Sequence, residues 1–419
     1  MGPIQNSHLA AYIDAAVKAQ TIAGATTLIW RDNETIHAAG GWADIAREVP
    51  LCRDSLFRIA SLTKPVTSVA ALTLLEEGAF QLDEPITRWA PEFTDVRVLR
   101  SSAGPLDLTD AAERPISFRD LLTHRSGLTY GDLHTGAIAQ AYQERVGPGI
   151  DNPLSPDAWI ARLASLPLLS QPGSQMHYGH STDLLGFLIA RIEGASLDRV
   201  LHRRIFDRLG MKDTSFSIHP GNAHRKAALY GHDSSGHLVP RLTAPGGSTM
   251  IQRPDDMQFA SGGQGLWSTA DDYLTFARLF VQEGSVDGVR ILRPETVAMM
   301  TTNQLTAAQR ASATIFGMPL LGEGHGFGLG VAVVMDEKKA SSTPCGGSVG
   351  SSGWPGAFGG WWRADPRRNT VLVFLCHNAM EREQFETGIG LGVYDVIHRF
   401  QQMASRVSTS SEFSPQVSA

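Results

Sequence analysis

The chain has 419 residues, a formal net charge of −6 and 42% hydrophobic residues. That length allows about two or three packed units with a sizeable core. The mild acidity comes with no basic stripe, which excludes a nucleic-acid partner, and no run approaches about 18 apolar residues, which excludes a membrane-spanning helix.

The opening, MGPIQNSHLAAYIDAAVKAQ, lacks a basic stretch followed by an apolar one, so no secretory signal is expected. Residues 9–20 have the period of an amphipathic helix. Residues 25–30 and 35–41 are apolar runs around Asp32-Asn33-Glu34 and predict a β-hairpin, with 56–60 a third short strand. From Ser61 the period turns helical, through Val66, Val69, Leu72, Leu74 and Leu75, and stops near Gly78. Between about 83 and 313 helical patterns alternate with Pro- and Gly-rich loops. The clearest helices are 116–122, 156–166, 181–192 and 270–282, the last preceded by Ser268-Thr269 and Asp271-Asp272 in the manner of a capping box. Strand patterns return at 326–335, 357–365 and 370–377, with Asp365-Pro366-Arg367-Arg368-Asn369 as a turn between the last two. A final helix over 385–403 precedes a polar, Ser-rich tail, 405–419, expected to be flexible. Strands at both ends predict one sheet built from both termini, with a helical region inserted. The three cysteines, Cys52, Cys345 and Cys376, are few and unpatterned; they point to a reducing, cytoplasmic setting and away from a disulfide framework or a structural zinc.

The residues that carry chemistry begin with Ser61-Leu62-Thr63-Lys64. In an S-x-x-K that opens a helix, residues i and i+3 share a face, so Lys64 lies beside the Ser61 hydroxyl. An amine held there takes part in removing the serine proton, and the helix N-terminus favours the negative charge that develops. By itself the pattern is weak, because Ser and Lys are common at helix starts; the preceding strand and following helix strengthen it. A competing nucleophile is offered by Gly346-Gly347-Ser348-Val349-Gly350, which matches the G-x-S-x-G elbow of α/β-hydrolases. That motif needs a strand before it and a helix after it. Here it lies in a Gly/Ser loop that leads to another strand, so Ser348 is read as part of a connection.

Residues 56–92, LFRIASLTKPVTSVAALTLLEEGAFQLDEPITRWAPE, resemble the nucleophile segment of class C β-lactamases, D-alanyl-D-alanine peptidases and family VIII carboxylesterases. The resemblance continues through ISFRDLLTHRSGL (116–128) and recurs at 172–194, 262–272 and 353–366, in the family's order and across most of the chain. It implies an α/β (α+β) fold of the β-lactamase/transpeptidase type, with an antiparallel sheet flanked by terminal helices. The expected division is 1–82 with 320–404 as one discontinuous α/β domain and 83–319 as a mostly helical one.

Carried onto this chain, the resemblance makes Ser61 the nucleophile and Tyr178, in Tyr178-Gly179-His180-Ser181-Thr182-Asp183, the general base. This segment is similar to the Y-x-x-S-x-D form of the family VIII esterases. A tyrosine of ordinary pKa needs about 4 kcal/mol of phenolate stabilisation to ionise at pH 7. One ammonium about 4 Å away at an effective dielectric near 20 supplies roughly that, and Lys64 is the residue placed to do so. His180 stands where the lactamases carry asparagine; it is expected to line the substrate pocket or to be structural. Trp354-Pro355-Gly356 resembles the W-x-G that replaces the lactamases' K-T-G. With no lysine or threonine to hold a carboxylate, the indole suits an apolar acyl or alcohol group, and Trp354, Gly356 and His180 are the expected substrate-binding residues. Pro355 cannot donate a ladder hydrogen bond, so its strand is expected to be at an edge or bulged. The backbone N–H groups of Ser61 and Ala357 form the implied oxyanion hole.

The function implied is hydrolysis of small-molecule carboxylic esters through a Ser61 acyl-enzyme, with no metal or organic cofactor and no nucleic-acid or membrane partner; the oligomeric state is left open. An amide hydrolase of the β-lactamase or D-aminopeptidase kind, an acyltransferase, and a non-catalytic penicillin-binding module are the alternatives.

Overall fold

The structure, a computed structural model, describes residues 6–241, 257–341, 343, 346–380 and 382–405. Cys345 and all but the first residue of the 405–419 tail lie outside the described residues.

The sheet strands, in chain order, are β1 (Gly24–Arg31), β2 (Glu34–Asp44), β3 (Val49–Pro50), β4 (His325–Phe327), β5 (Ala332–Val334), β6 (Ser352–Pro355), β7 (Trp361–Asp365) and β8 (Thr370–Cys376). They form one antiparallel sheet in the order β4-β5-β6-β7-β8-β1-β2-β3. The expected sheet drawn from both ends of the chain is therefore present, and its seam is β1 against β8, in register from Ala25↔Cys376 to Arg31↔Thr370.

Period-2 alternation explains why β8 reads as an unbroken apolar run. Val371, Val373 and Leu375 face the main core, whereas Leu372, Phe374 and Cys376 face a second core. The second core is closed by the terminal helices, α1 (Asn6–Lys18) and, at the far end of the chain, Gly392–Ala404, which contribute Leu9, Ile13, Val396, Ile397 and Phe400.

On the opposite face lies α2 (Thr63–Glu76). Its period suggests an amphipathic helix, yet it is buried from Thr63 through Leu74. A helix buried nearly all round lies in the middle of a core, and this one sits between the sheet and the inserted region, so Ser61 and Lys64 at its start are inside the protein. α5 (Ser181–Glu193) packs on α2 and on α3 (Phe118–Leu122), α6 (Ala270–Arg278) lies against β8, β1 and β7, and α4 (Pro156–Ala164) belongs to the inserted region.

Four boundaries differ from expectation. The strand expected over 326–335 is two strands, β4 and β5, because Gly328 and Gly330 (φ +89°) turn the chain between them. The strand expected from Ala357 begins only at Trp361; residues 356–359 form a turn closed by Gly359 N–H to Gly356 C=O at 3.0 Å. Residues 57–58 pair with Trp267–Ser268 in a separate ribbon instead of joining the sheet. At α6 only half of the capping box forms. Thr269 accepts from Asp272 N–H, but the Asp272 carboxylate is taken by Asp213 N–H and the Thr214 hydroxyl.

Strand β6 lies inside the sheet, yet Pro355 costs it nothing. Gly356 N–H donates to Gly360 C=O at 2.7 Å, so alternation makes Pro355↔Trp361 a non-hydrogen-bonded pair toward β7. On its other side the β5 pairing ends at Gly353. Proline thus occupies the locally unpaired edge that its chemistry requires.

No helix among the described residues is long and apolar enough to cross a membrane. Cys52 is exposed and Cys376 buried, both as free thiols.

Candidate active site

Strand residues 57–58 deliver the chain into a single 3-10 turn, Ala60–Leu62, that runs straight into α2. Ala60 has φ +46°, a left-handed conformation that alanine adopts at a cost of about 1–2 kcal/mol. The strain falls on the residue that aims Ser61, whose side chain is almost fully buried.

Two side chains converge on the Ser61 hydroxyl. Lys64 Nζ donates to Ser61 Oγ at 3.1 Å, as the i, i+3 spacing requires, and the Tyr178 hydroxyl donates to the same oxygen at 2.7 Å. The Lys64 ammonium also stands 4.5 Å from the centre of the Tyr178 ring. Tyr178 reaches this point because its segment lies directly on the backbone at Thr129. A Cβ at Gly179 would come within 2.2 Å of Thr129 Cα, so only glycine permits the approach.

The third partner of this group is Trp354. Its indole Nε1 donates to the Tyr178 hydroxyl at 3.0 Å, and the ring packs on Tyr178 and Phe327. The indole edge, expected to meet substrate, is turned onto the tyrosine oxygen. Trp354 is 4% exposed, which leaves little of its surface for a ligand.

Gly356 and Ala357 follow at the end of β6. A Cβ on Gly356 would stand 2.8 Å from Ile59 C=O and 2.9 Å from Leu62 Cδ1, so its absence lets the strand end press against the Ser61 turn. Ala357 then lies beside Ala60 in a small apolar cluster with Phe358 and Ala379, and its carbonyl accepts from Met380 N–H at 3.0 Å.

Behind the reactive hydroxyl is a buried polar network that the sequence reading did not identify. Lys64 spends its two remaining protons on the Tyr130 hydroxyl at 3.1 Å and on Gly263 C=O at 3.0 Å. Both acceptors are held from the far side by Asp183, which accepts from the Tyr130 hydroxyl at 3.4 Å and from Gly263 N–H at 3.0 Å. Asp183 also accepts from His180 Nδ1 at 3.0 Å and from the Ser261 hydroxyl. Burial pushes its carboxyl upward, but the His180 hydrogen bond and charge, then Lys64 and Ser261, hold it below the ordinary carboxylate value. Burial, reinforced by the Asp183 charge, pushes Tyr130 well above 10, so Tyr130 stays a neutral phenol.

His180, expected in the pocket wall, is enclosed by Tyr142, Tyr130 and Trp159, with its Nδ1 on Asp183. His124, behind Tyr178 at 4.9 Å between ring centres, is driven to about 3 by burial and by Lys64, and is a neutral imidazole. Ser348, the rival nucleophile, sits in a turn with its N–H on Asp365 at 3.1 Å and its C=O accepting from Ser351 N–H at 2.9 Å, and the element that follows is β6, not a helix. Tyr130 lies two residues beyond the ISFRDLLTHRSGL segment. Asp183 is inside the quoted tyrosine segment, where its position in the first helical turn was the available signal.

A family model described as Beta-lactamase matches residues 9–388. Protein Rv1367c of Mycobacterium tuberculosis is 43% identical over 356 residues, covering 84% of this chain and 85% of that protein. Esterase EstB of Burkholderia gladioli is 31% identical over 392 residues, covering 90% and 91%. The solved structure of EstCE1, described as a hydrolase with promiscuous acyltransferase activity, superposes with a TM-score of 0.76 at 27% identity, covering 94% and 98%. The chain belongs to the Beta-lactamase family and, within that serine β-lactamase-like superfamily, to the family VIII carboxylesterase group. It is a serine hydrolase of that fold.

Proposed function

We propose that the protein is a carboxylesterase acting on neutral small-molecule esters through a Ser61 acyl-enzyme. The observation that carries this reading is the convergence of Lys64 and Tyr178 on Ser61 Oγ, with an uncharged indole from β6 completing the set. With Tyr178 ionised to the phenolate, the Ser61 hydroxyl donates across the 2.7 Å contact and passes its proton to Tyr178 O as Oγ attacks the ester carbonyl. Tyr178 then returns that proton to the departing alkoxide, and water repeats the cycle on the acyl-enzyme. The Lys64 ammonium and the Trp354 N–H both favour negative charge on the tyrosine. The N–H groups of Ser61 and Ala357 are the proposed oxyanion donors, typically about 3–4 kcal/mol each. We place the substrate cleft between the sheet portion, 1–82 with 320–404, and the helical portion, 83–319.

Ester is favoured over β-lactam by what β6 lacks. A lactam carboxylate must leave water, and at several kcal/mol for an unpaired charge this costs orders of magnitude in rate. Against Trp354 it would find only an indole already engaged with Tyr178. The expected result is a kcat/KM for p-nitrophenyl butyrate at least about a hundredfold above that for nitrocefin. Comparable values would overturn the ester reading in favour of a lactamase. Transfer to an alcohol in place of water is the second reading, supported by the acyltransferase activity in the description of EstCE1. Added short-chain alcohol that raises ester product at the expense of free acid would reveal it.

A further inference from the structure

We propose that Asp183 is a positioning residue for acylation, fixing Lys64 as an ammonium by anchoring the two acceptors that Lys64 uses besides Ser61. The proposal rests on the reading of Ser61 as nucleophile and deepens it.

An ammonium has three protons and no lone pair, and an ionised carboxylate has about four acceptor sites and no proton. Lys64 meets three acceptors: Ser61 Oγ, the Tyr130 hydroxyl and Gly263 C=O. Asp183 meets four donors: the Tyr130 hydroxyl, Gly263 N–H, His180 Nδ1 and the Ser261 hydroxyl. Both groups are fully buried, so a missing partner would not be replaced by bulk water. The Tyr130 proton is committed to Asp183, which turns a lone pair of Tyr130 toward Lys64. The Gly263 peptide does the same, with its N–H on the carboxylate and its C=O on the ammonium. Lysine and aspartate thus form a buried ion pair bridged by one phenol and one peptide. A neutral amine at Lys64 would leave one of three preset acceptors empty, so the network holds the proton on lysine and leaves the basic role to Tyr178.

The titratable groups that meet Asp183 come from several elements: Lys64 on α2, Tyr130 with Asp132 beyond it, His180 in the segment before α5, and His124 after α3; Tyr178 is the next group out, against Tyr130 and the Lys64 ammonium. Removing the aspartate charge takes an anion from all of them. An ammonium without its neighbouring anion gives up a proton at lower pH, and a phenol without it ionises at lower pH. Both limbs of the pH–rate profile must therefore move in the same direction.

The test is Asp183→Asn in the full chain, with Tyr130→Phe as a second variant that removes only the bridge. For p-nitrophenyl butyrate, Asp183→Asn should lower kcat about a hundredfold, leave KM within about threefold, and shift both limbs of the profile to lower pH by about one unit. Tyr130→Phe should lower kcat with KM similarly unmoved, and it decides the matter if the aspartate variant does not fold. A reduced rate with both limbs in place, or full kcat in either folded variant, would overturn the proposal. Ser61→Ala run alongside separates the two levels: an active Ser61→Ala protein defeats the nucleophile reading itself, whereas an inactive one with unshifted Asp183→Asn defeats only this inference.

Discussion

At the scale of single residues, the groups that touch the Ser61 oxygen have different proposed roles. Ser61→Ala should abolish esterase activity, whereas Ser348→Ala should leave kcat within about twofold, because Ser348 lies in a turn that leads into β6 and not at the start of a helix. Lys64→Ala and Tyr178→Phe should each lower kcat by orders of magnitude, with the double variant little worse than either, since groups acting as one unit are not additive. Fully multiplicative losses in that cycle would show the two working independently. Trp354→Phe keeps the packing and deletes one hydrogen bond to the tyrosine oxygen. A hydrogen bond to a charged group contributes about 1.5–3 kcal/mol, so kcat should fall roughly ten- to a hundredfold. An unchanged kcat with altered KM would return the indole to the role of a substrate wall. These residues were legible in unequal measure. Ser61 and Lys64 announce themselves because a helix fixes the i, i+3 geometry. The direction of the Trp354 indole depends on packing against Tyr178 and Phe327, which no local pattern encodes. Asp183 reads in sequence as an ordinary acidic residue in a first helical turn, and only the meeting of three distant segments makes it the centre of a network.

At the scale of elements, the site depends on two backbone approaches that a methyl group would block. Gly356→Ala would push a Cβ to 2.8 Å from Ile59 C=O, and that backbone oxygen cannot swing aside. The strand end must retreat from the Ser61 turn, separating Ala357 N–H from Ser61 N–H. The expected outcome is a kcat lowered at least about tenfold, checked by pre-steady-state acylation, together with roughly 1–3 kcal/mol of lost stability. A variant with native acylation would remove Ala357 from the proposed oxyanion hole. The strands themselves were readable where alternation or a continuous apolar run marks them, as in β1 and β8. They were misplaced around Gly328–Gly330 and at residues 356–359, where turns consume residues whose apolar character serves tertiary packing. For α2 the helical period is legible, but its burial on nearly every side is not, because the polar residues Thr67 and Ser68 are themselves buried.

At the scale of the whole molecule, burying both faces of the sheet leaves imidazoles without access to water. His377, fully buried and pushed down to about 4 by burial, and His124, at about 3, are neutral in the fold. Their values lie below the unfolded value near 6.5, so unfolding takes up protons as pH falls. Stability from these groups is complete above about pH 6.5 and is lost progressively toward pH 4, by up to about 1.4 kcal/mol per pH unit for each histidine. Denaturant unfolding between pH 7 and 4.5 should show this slope, and His377→Gln should reduce it by up to one proton's worth; an unchanged slope would contradict the assignment. The same closed interior keeps Lys64 and Asp183 from bulk water, the condition under which a buried ion pair can govern the proposed reaction. The central claim is that one serine, at the start of the helix in the middle of the core, carries the acyl group. Intact-mass and peptide-level spectrometry after brief exposure to p-nitrophenyl butyrate at low pH tests it most directly. The account predicts a single butyryl adduct on Ser61, absent from Ser61→Ala; an adduct on Ser348, or one that persists in Ser61→Ala, would contradict it.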